Sequence, residues 1–67
     1  MAKHLVRIEF SDKAHTLTEE FNLTLIPRRD EEVEHGGKFW IVQGATYKLD
    51  RKESDPEVTI YVELEGV

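Results

Sequence analysis

The sequence predicts an all-β fold: a small antiparallel barrel or curled sheet of five to six strands, in one domain covering residues 1–67. Three observations predict it. Residues 3–10 and 58–64 alternate apolar and polar side chains with the period of half-buried strands. Gly36 and Gly37 separate two strand-like segments, which is typical of a two-residue hairpin. The remaining segments are short and rich in turn residues, as in small barrels.

The first half of the chain predicts two strands. The first is expected over residues 3–10, and one face of it carries Val6, Ile8 and Phe10. Residues 11–20 are polar, and residues 16–19 have the spacing of a capping box, which predicts at most one helical turn. The second strand is expected over residues 21–25, and it ends at Pro27 because proline donates no ladder hydrogen bond.

The second half predicts a hairpin and a clean final strand. Residues 30–35 and 38 onward form its arms, and Gly44 predicts a bulge. A further strand is expected over residues 47–51, followed by a turn over residues 53–57 that contains proline. The last strand covers residues 58–64 and could lie at a sheet edge, where it could pair with a second copy.

The run Phe39-Trp40-Ile41-Val42 breaks the alternation that a half-exposed strand should show. A two-residue turn at Gly36-Gly37 pairs Val33 with Trp40 and Glu34 with Phe39, and paired residues share a face. Glutamates are poor core residues without a buried partner. Trp40 therefore points inward, and Phe39 points outward together with Ile41, Glu32 and Glu34.

Three explanations remain for the outward apolar pair. Residues 11–20 or the C-terminal residues could cover Phe39 and Ile41 within the chain. A homodimer or another protein could cover them instead. Alternatively, a longer turn would shift the register by one residue and turn both side chains inward.

Composition and motifs exclude several classes of function. The chain has no cysteine, so thiolate zinc sites and cysteine nucleophiles are excluded. No catalytic motif accompanies the three histidines, and His35 is expected to be a solvated loop residue; we predict no enzyme, no catalytic residue and no cofactor. No metal site is predicted, because adjacent carboxylates on a strand point to opposite faces. The absence of a signal-like or membrane-spanning apolar run indicates a cytoplasmic protein.

Residues 25–44 resemble a pattern found in small bacterial and phage β-barrels of SH3-like type. In that pattern a proline precedes an acidic-start strand, then come an apolar residue, a glycine turn, an aromatic residue and a valine. The matching positions are Pro27, Glu31, Val33, Gly37, Trp40 and Val42, and residues 58–64 resemble the returning strand. Asp30 stands where the pattern usually has glycine. The resemblance implies a barrel and no particular function, since such barrels serve as adaptors, nucleic-acid binders or structural subunits.

The function predicted is protein–protein interaction, either with a partner or through self-association as a homodimer, in the manner of a phage or mobile-element accessory protein. The net charge of -5 argues against phosphate binding. The predicted interaction residues are Phe39, Ile41 and Tyr61, with Glu32 and Glu34 around them.

The alternative is single-stranded nucleic-acid binding through Arg28, Arg29 and Lys38 with surface aromatic residues. Against it, the two arginines could instead pair with the neighbouring carboxylates of residues 30–34. Neither function predicts a membrane or a small-molecule substrate.

Overall fold

A computed structural model describes residues 3–66, and it confirms the all-β prediction: these residues form five strands and no helix. The strands are β1 (His4–Ser11), β2 (Thr16–Leu23), β3 (Glu32–His35), β4 (Lys38–Tyr47) and β5 (Val58–Leu64). They form a single sheet in the order β2-β1-β5-β4-β3, which curls through 215° into a half-barrel.

The sheet is mixed. Three of its strand pairs are antiparallel as predicted, but β1 and β5 run parallel, with Val6 beside Val58 and Phe10 beside Val62. Alternation specifies which side chains face inward but not the direction of a strand, so the sequence pattern could not reveal this pair. The suggestion that β5 lies at an edge is wrong: β5 is central, and β2 and β3 are the edges.

Two local predictions are also wrong. The segment predicted to contain a helical turn starts strand β2, because all of its residues from Thr16 onward pair with β1. The preceding turn is held by Asp12, whose Oδ1 accepts the N–H groups of Ala14 at 2.8 Å and His15 at 2.7 Å.

The strand expected over residues 47–51 is absent, because β4 ends at Tyr47 and a loop follows. The Arg51 guanidinium contributes to this loop by donating to the Asp55 carbonyl at 2.9 Å. The predicted turn over residues 53–57 lies within it and is confirmed, with Asp55 N–H bonded to the Lys52 carbonyl at 2.9 Å.

The core lies on the concave face of the three central strands. Its side chains come from alternate positions of β1, β4 and β5, as the period of two requires. Phe21, Leu23 and Val33 from the edge strands pack against it. The buried apolar residues are Val6, Ile8, Phe10, Trp40, Val42, Val58, Ile60 and Val62.

The glycine hairpin confirms the predicted register. Gly36 and Gly37 have φ values of 63° and 77°, as a type I′ turn requires at both central positions. His35 pairs with Lys38, Glu34 with Phe39, Val33 with Trp40 and Glu32 with Ile41. The bulge predicted at Gly44 is also present, as a register shift between Val42 and Gly44.

Asp30 occupies the left-handed position of the turn that precedes β3. Its φ is 72°, and the turn closes with the Glu31 N–H bonded to the Arg28 carbonyl at 3.0 Å. The turn after Pro27 is therefore tight even though aspartate stands where glycine is usual. Aspartate tolerates this conformation better than most residues.

We predict that Asp30→Gly stabilises the protein by about 0.5–1 kcal/mol, because glycine removes the left-handed penalty while adding some freedom to the unfolded chain. Asp30→Val should destabilise it by about 1–2 kcal/mol, since a branched side chain fits this conformation poorly. Urea titration followed by circular dichroism measures both changes. Equal stabilities for the two variants would contradict the prediction.

Candidate functional site

Three apolar side chains stand on the convex face of the sheet, which we call the outer face. Phe39 and Tyr61 are 46% and 37% exposed, and Ile41 is partly buried. Phe39 and Ile41 alternate with the buried Trp40 along β4, and Tyr61 lies between the buried Ile60 and Val62 on β5. The structure thus places these predicted residues on one face, and we call them the apolar trio.

Glutamates flank the apolar trio on neighbouring strands. Phe39 is paired with Glu34, and its carbonyl accepts the Glu65 N–H at 3.0 Å. Ile41 is paired with Glu32 on one side and with Glu63 on the other. Tyr61 is paired with Glu9. The predicted Glu32 and Glu34 are joined here by Glu9, Glu63 and Glu65, and we call these five residues the carboxylate ring.

The carboxylate ring lacks cationic partners within residues 3–66. No lysine, arginine or histidine nitrogen lies within 4.0 Å of any of its carboxylates, whereas Glu20 on the same face pairs with Arg7 at 3.1 Å. Lys38 lines a shallow depression beside Phe39 and Glu65 without forming such a pair. The outer face therefore combines exposed apolar area with uncompensated negative charge.

The surroundings of Glu32 on the outer face raise its pKa. Partial desolvation raises this pKa above its ordinary value, and a hydrogen bond with Glu65 and repulsion from Glu65 and Glu34 raise it further. The folded protein therefore holds this proton more tightly than the unfolded chain does. As pH rises from the ordinary pKa to the raised pKa, the free energy of unfolding falls. Above the raised pKa, the full cost of ionising Glu32 in the folded protein is present.

We predict that Glu32→Gln raises the melting temperature at pH 7, because a neutral amide avoids both the desolvation of a charged carboxylate and its repulsion by Glu65 and Glu34. The gain should shrink as pH falls and disappear below about pH 4, where the glutamate of the unfolded chain is itself protonated. Thermal melts of both proteins between pH 3 and pH 8 measure the difference. Glu53→Gln, in the exposed loop after β4, is the matched control and should show no such trend.

Residues 11–20 do not cover the apolar trio. They form the end of β1, the following turn and much of β2, and β2 is separated from β4 by β1 and β5. That intramolecular explanation is wrong. The backbone of Glu65 lies beside Phe39 and leaves this residue 46% exposed.

The structure does not bring the predicted basic residues together. Lys38 begins β4, whereas Arg28 lines a shallow pocket with Tyr47, where β4 ends. Eight residues of β4 lie between these ends, which would be about 30 Å apart in an extended strand. The suggested pairing of Arg28 and Arg29 with neighbouring carboxylates is wrong for the described residues, since neither side chain forms an ion pair there.

His35 is not the solvated loop residue that the sequence predicts. It ends β3, its ring stacks on Phe10 with centroids 4.7 Å apart, and Nε2 lies 2.8 Å from the Glu19 carboxylate. These contacts join edge strand β3 to β1 and β2 across the concave face. His4 pairs with Glu57 at 2.8 Å. Among residues 3–66, no three potential metal-binding side chains converge.

Compared with protein-family models, curated proteins and solved structures, the chain has no significant match in any of the three. No stretch within residues 3–66 forms a helix with the length and apolar character needed to span a membrane.

Proposed function

We propose that this protein is a non-enzymatic interaction module whose contact surface is the outer face, centred on the apolar trio. The observation that supports it most directly is the contrast along β4: Trp40 is 7% exposed, and its neighbour Phe39 is 46% exposed on a regular strand.

A partner would bury apolar surface that the single chain leaves exposed at Phe39 and Tyr61. Fully burying a phenylalanine side chain is worth roughly 1.5–3 kcal/mol relative to leaving it exposed. Aromatic anchors surrounded by polar residues are the usual anatomy of a protein interface, and tyrosine is enriched among residues that dominate binding. The outer face has this arrangement, with Phe39 and Tyr61 as anchors and the carboxylate ring around them.

Site-specific photo-crosslinking tests the proposal. The photoreactive amino acid benzoylphenylalanine replaces Phe39 in one variant and Leu49 in a control variant. Both variants are produced in cells that naturally contain the chain. Leu49 is 96% exposed and lies in the loop after β4, so it reports random collisions. We expect a discrete protein adduct from position 39 only. An excess of wild-type protein without the photoreactive group should reduce the yield of this adduct, and an excess of Phe39→Glu protein should not.

Light scattering distinguishes self-association from binding to a different protein. A dimer that Phe39→Glu dissociates identifies a second copy of the chain as the occupant, whereas a monomer that still gives the adduct identifies another protein. The proposal is contradicted if positions 39 and 49 give the same adducts, or if neither gives any.

We also propose, on the resemblance of residues 25–44, that the half-barrel is related to small SH3-like barrels of bacterial or phage type and works in the cytoplasm. The curled all-β sheet supports a barrel of this size. In such a setting, the acidic outer face could imitate nucleic acid toward a basic host protein.

Single-stranded nucleic-acid binding is the second candidate, and one observation favours it. Arg28 and Arg29 are exposed and make no ion pair within the described residues, so both guanidinium groups are available to phosphate. Titration of labelled single-stranded DNA at low salt tests it. Binding that Arg28→Ala and Arg29→Ala weaken would support it, and binding indifferent to both changes would eliminate it.

A further inference from the structure

Each member of the apolar trio has at least one carboxylate at the neighbouring strand position. Phe39 lies between Glu34 and Glu65, and Tyr61 lies beside Glu9. Neighbouring strands are about 4.8 Å apart, so two carboxylates that flank one apolar side chain project from backbones about 10 Å apart. An exposed ring and a carboxylate are therefore available together at two places on the outer face.

A guanidinium group matches this combination. It is planar and weakly hydrated, so it can stack on an aromatic ring, and its fixed fork of donors fits a carboxylate. A lysine ammonium is a compact, strongly hydrated charge that makes poorer use of the ring. The exposed faces of Phe39 and Tyr61, each beside an unpaired carboxylate, favour arginine over lysine.

A second copy of the chain fits the outer face poorly. A two-fold interface would bring the same patch of both molecules together, so each carboxylate ring would lie against its own symmetry mate. Within one chain, desolvation raises the pKa of Glu32, and a hydrogen bond with Glu65 and repulsion from Glu65 and Glu34 already raise it further. Bringing five more carboxylates onto this face without a cation would increase that repulsion.

We propose that the outer face docks an arginine-bearing segment of a different protein and does not pair with a second copy of this chain. This inference rests on the proposed function and specifies its partner. The apolar trio supplies the contact area, and the carboxylate ring selects the cationic side chains that reach it.

Fluorescence anisotropy with three labelled octapeptides tests the inference. In each peptide alanine alternates with one charged residue, which is arginine in the first, lysine in the second and glutamate in the third. We expect the arginine peptide to bind about threefold more tightly than the lysine peptide, because guanidinium stacks better on aromatic rings. The glutamate peptide should not bind. The affinity for the arginine peptide should fall as salt increases. In NMR spectra of the protein, the backbone amide signals that shift on adding this peptide should be those of residues 32–34, 39–41 and 61–65.

Matched variants test whether the arginine peptide binds to the outer face. Glu34→Gln combined with Glu63→Gln should weaken arginine-peptide binding by about tenfold, since two exposed ion pairs are lost. Glu53→Gln removes a charge from the distant loop and should change affinity only slightly. Phe39→Ala should weaken the arginine peptide more than the lysine peptide, a selectivity change that general charge attraction does not produce.

The inference would be overturned by peptide binding that ignores the Glu34→Gln and Glu63→Gln changes, or by single-stranded DNA occupying the outer face. A dimer dissociated by Phe39→Glu would also overturn it, while leaving the outer face as a contact surface. Failure of the position-39 crosslinks would instead remove the proposed function itself. The two failures are therefore distinguishable.

Discussion

Trp40→Ala is expected to cost about 3–5 kcal/mol of unfolding free energy, the usual price of truncating a buried tryptophan to alanine. The indole is 7% exposed, packs edge-on against Phe10 at 5.1 Å and donates Nε1–H to the His35 carbonyl at 3.2 Å. A domain of this length has about 3–10 kcal/mol of stability in total. The variant should therefore be largely unfolded or melt far below wild type.

Phe39→Ala is the matched control for Trp40→Ala, because it removes an aromatic side chain from the adjacent position on the same strand. It should change stability by less than about 1 kcal/mol, since its ring is already substantially exposed. Urea and thermal titrations followed by far-ultraviolet circular dichroism measure both without depending on tryptophan emission. Equal losses from the two variants would contradict the register of the hairpin.

Replacing both hairpin glycines by alanine should cost about 1–3 kcal/mol. Each alanine in a left-handed backbone conformation costs about 1–2 kcal/mol of unfolding free energy. The reduced freedom of the unfolded chain offsets part of this loss. Open space surrounds both positions, since beyond the adjacent residues no atom lies within 4 Å of an added Cβ, so the expected loss comes from the backbone and not from a clash.

Gly36→Asn provides the control for the hairpin prediction, because Asn-Gly is a preferred type I′ pair. Its stability should lie close to that of the wild type. Urea titration compares the glycine, alanine and asparagine forms. If the double alanine variant is as stable as Gly36→Asn, the turn does not require positive φ at both positions and the prediction is wrong.

The inward and outward faces could be predicted because they depend on local information. The two glycines set the pairing of Val33 with Trp40, and the glutamates of β3 indicated which face meets water. Alternation placed Tyr61 outward for the same reason. These conclusions required only neighbouring residues in sequence and the period of two.

The rest of the candidate site depends on strand order, which local patterns do not encode. Glu9 belongs to the site only because β1 lies beside β5, and Glu63 only because β5 lies beside β4. Alternation identifies both as outward but gives no neighbour across the sheet. The sequence prediction for His35 is wrong for a related reason, since its contact with Glu19 requires the curl that brings β3 toward β2.

The central position of β5 has a consequence for synthesis on the ribosome. The hairpins β1–β2 and β3–β4 can each close early from residues close in sequence, but within the sheet they are joined only through β5. Residues 58–64 follow both hairpins in the chain and are translated after them, and non-local pairing must wait for both partners. The nascent chain therefore exposes the core side chains of β1 and β4 on two separate hairpins until β5 leaves the exit tunnel and can pair with both strands.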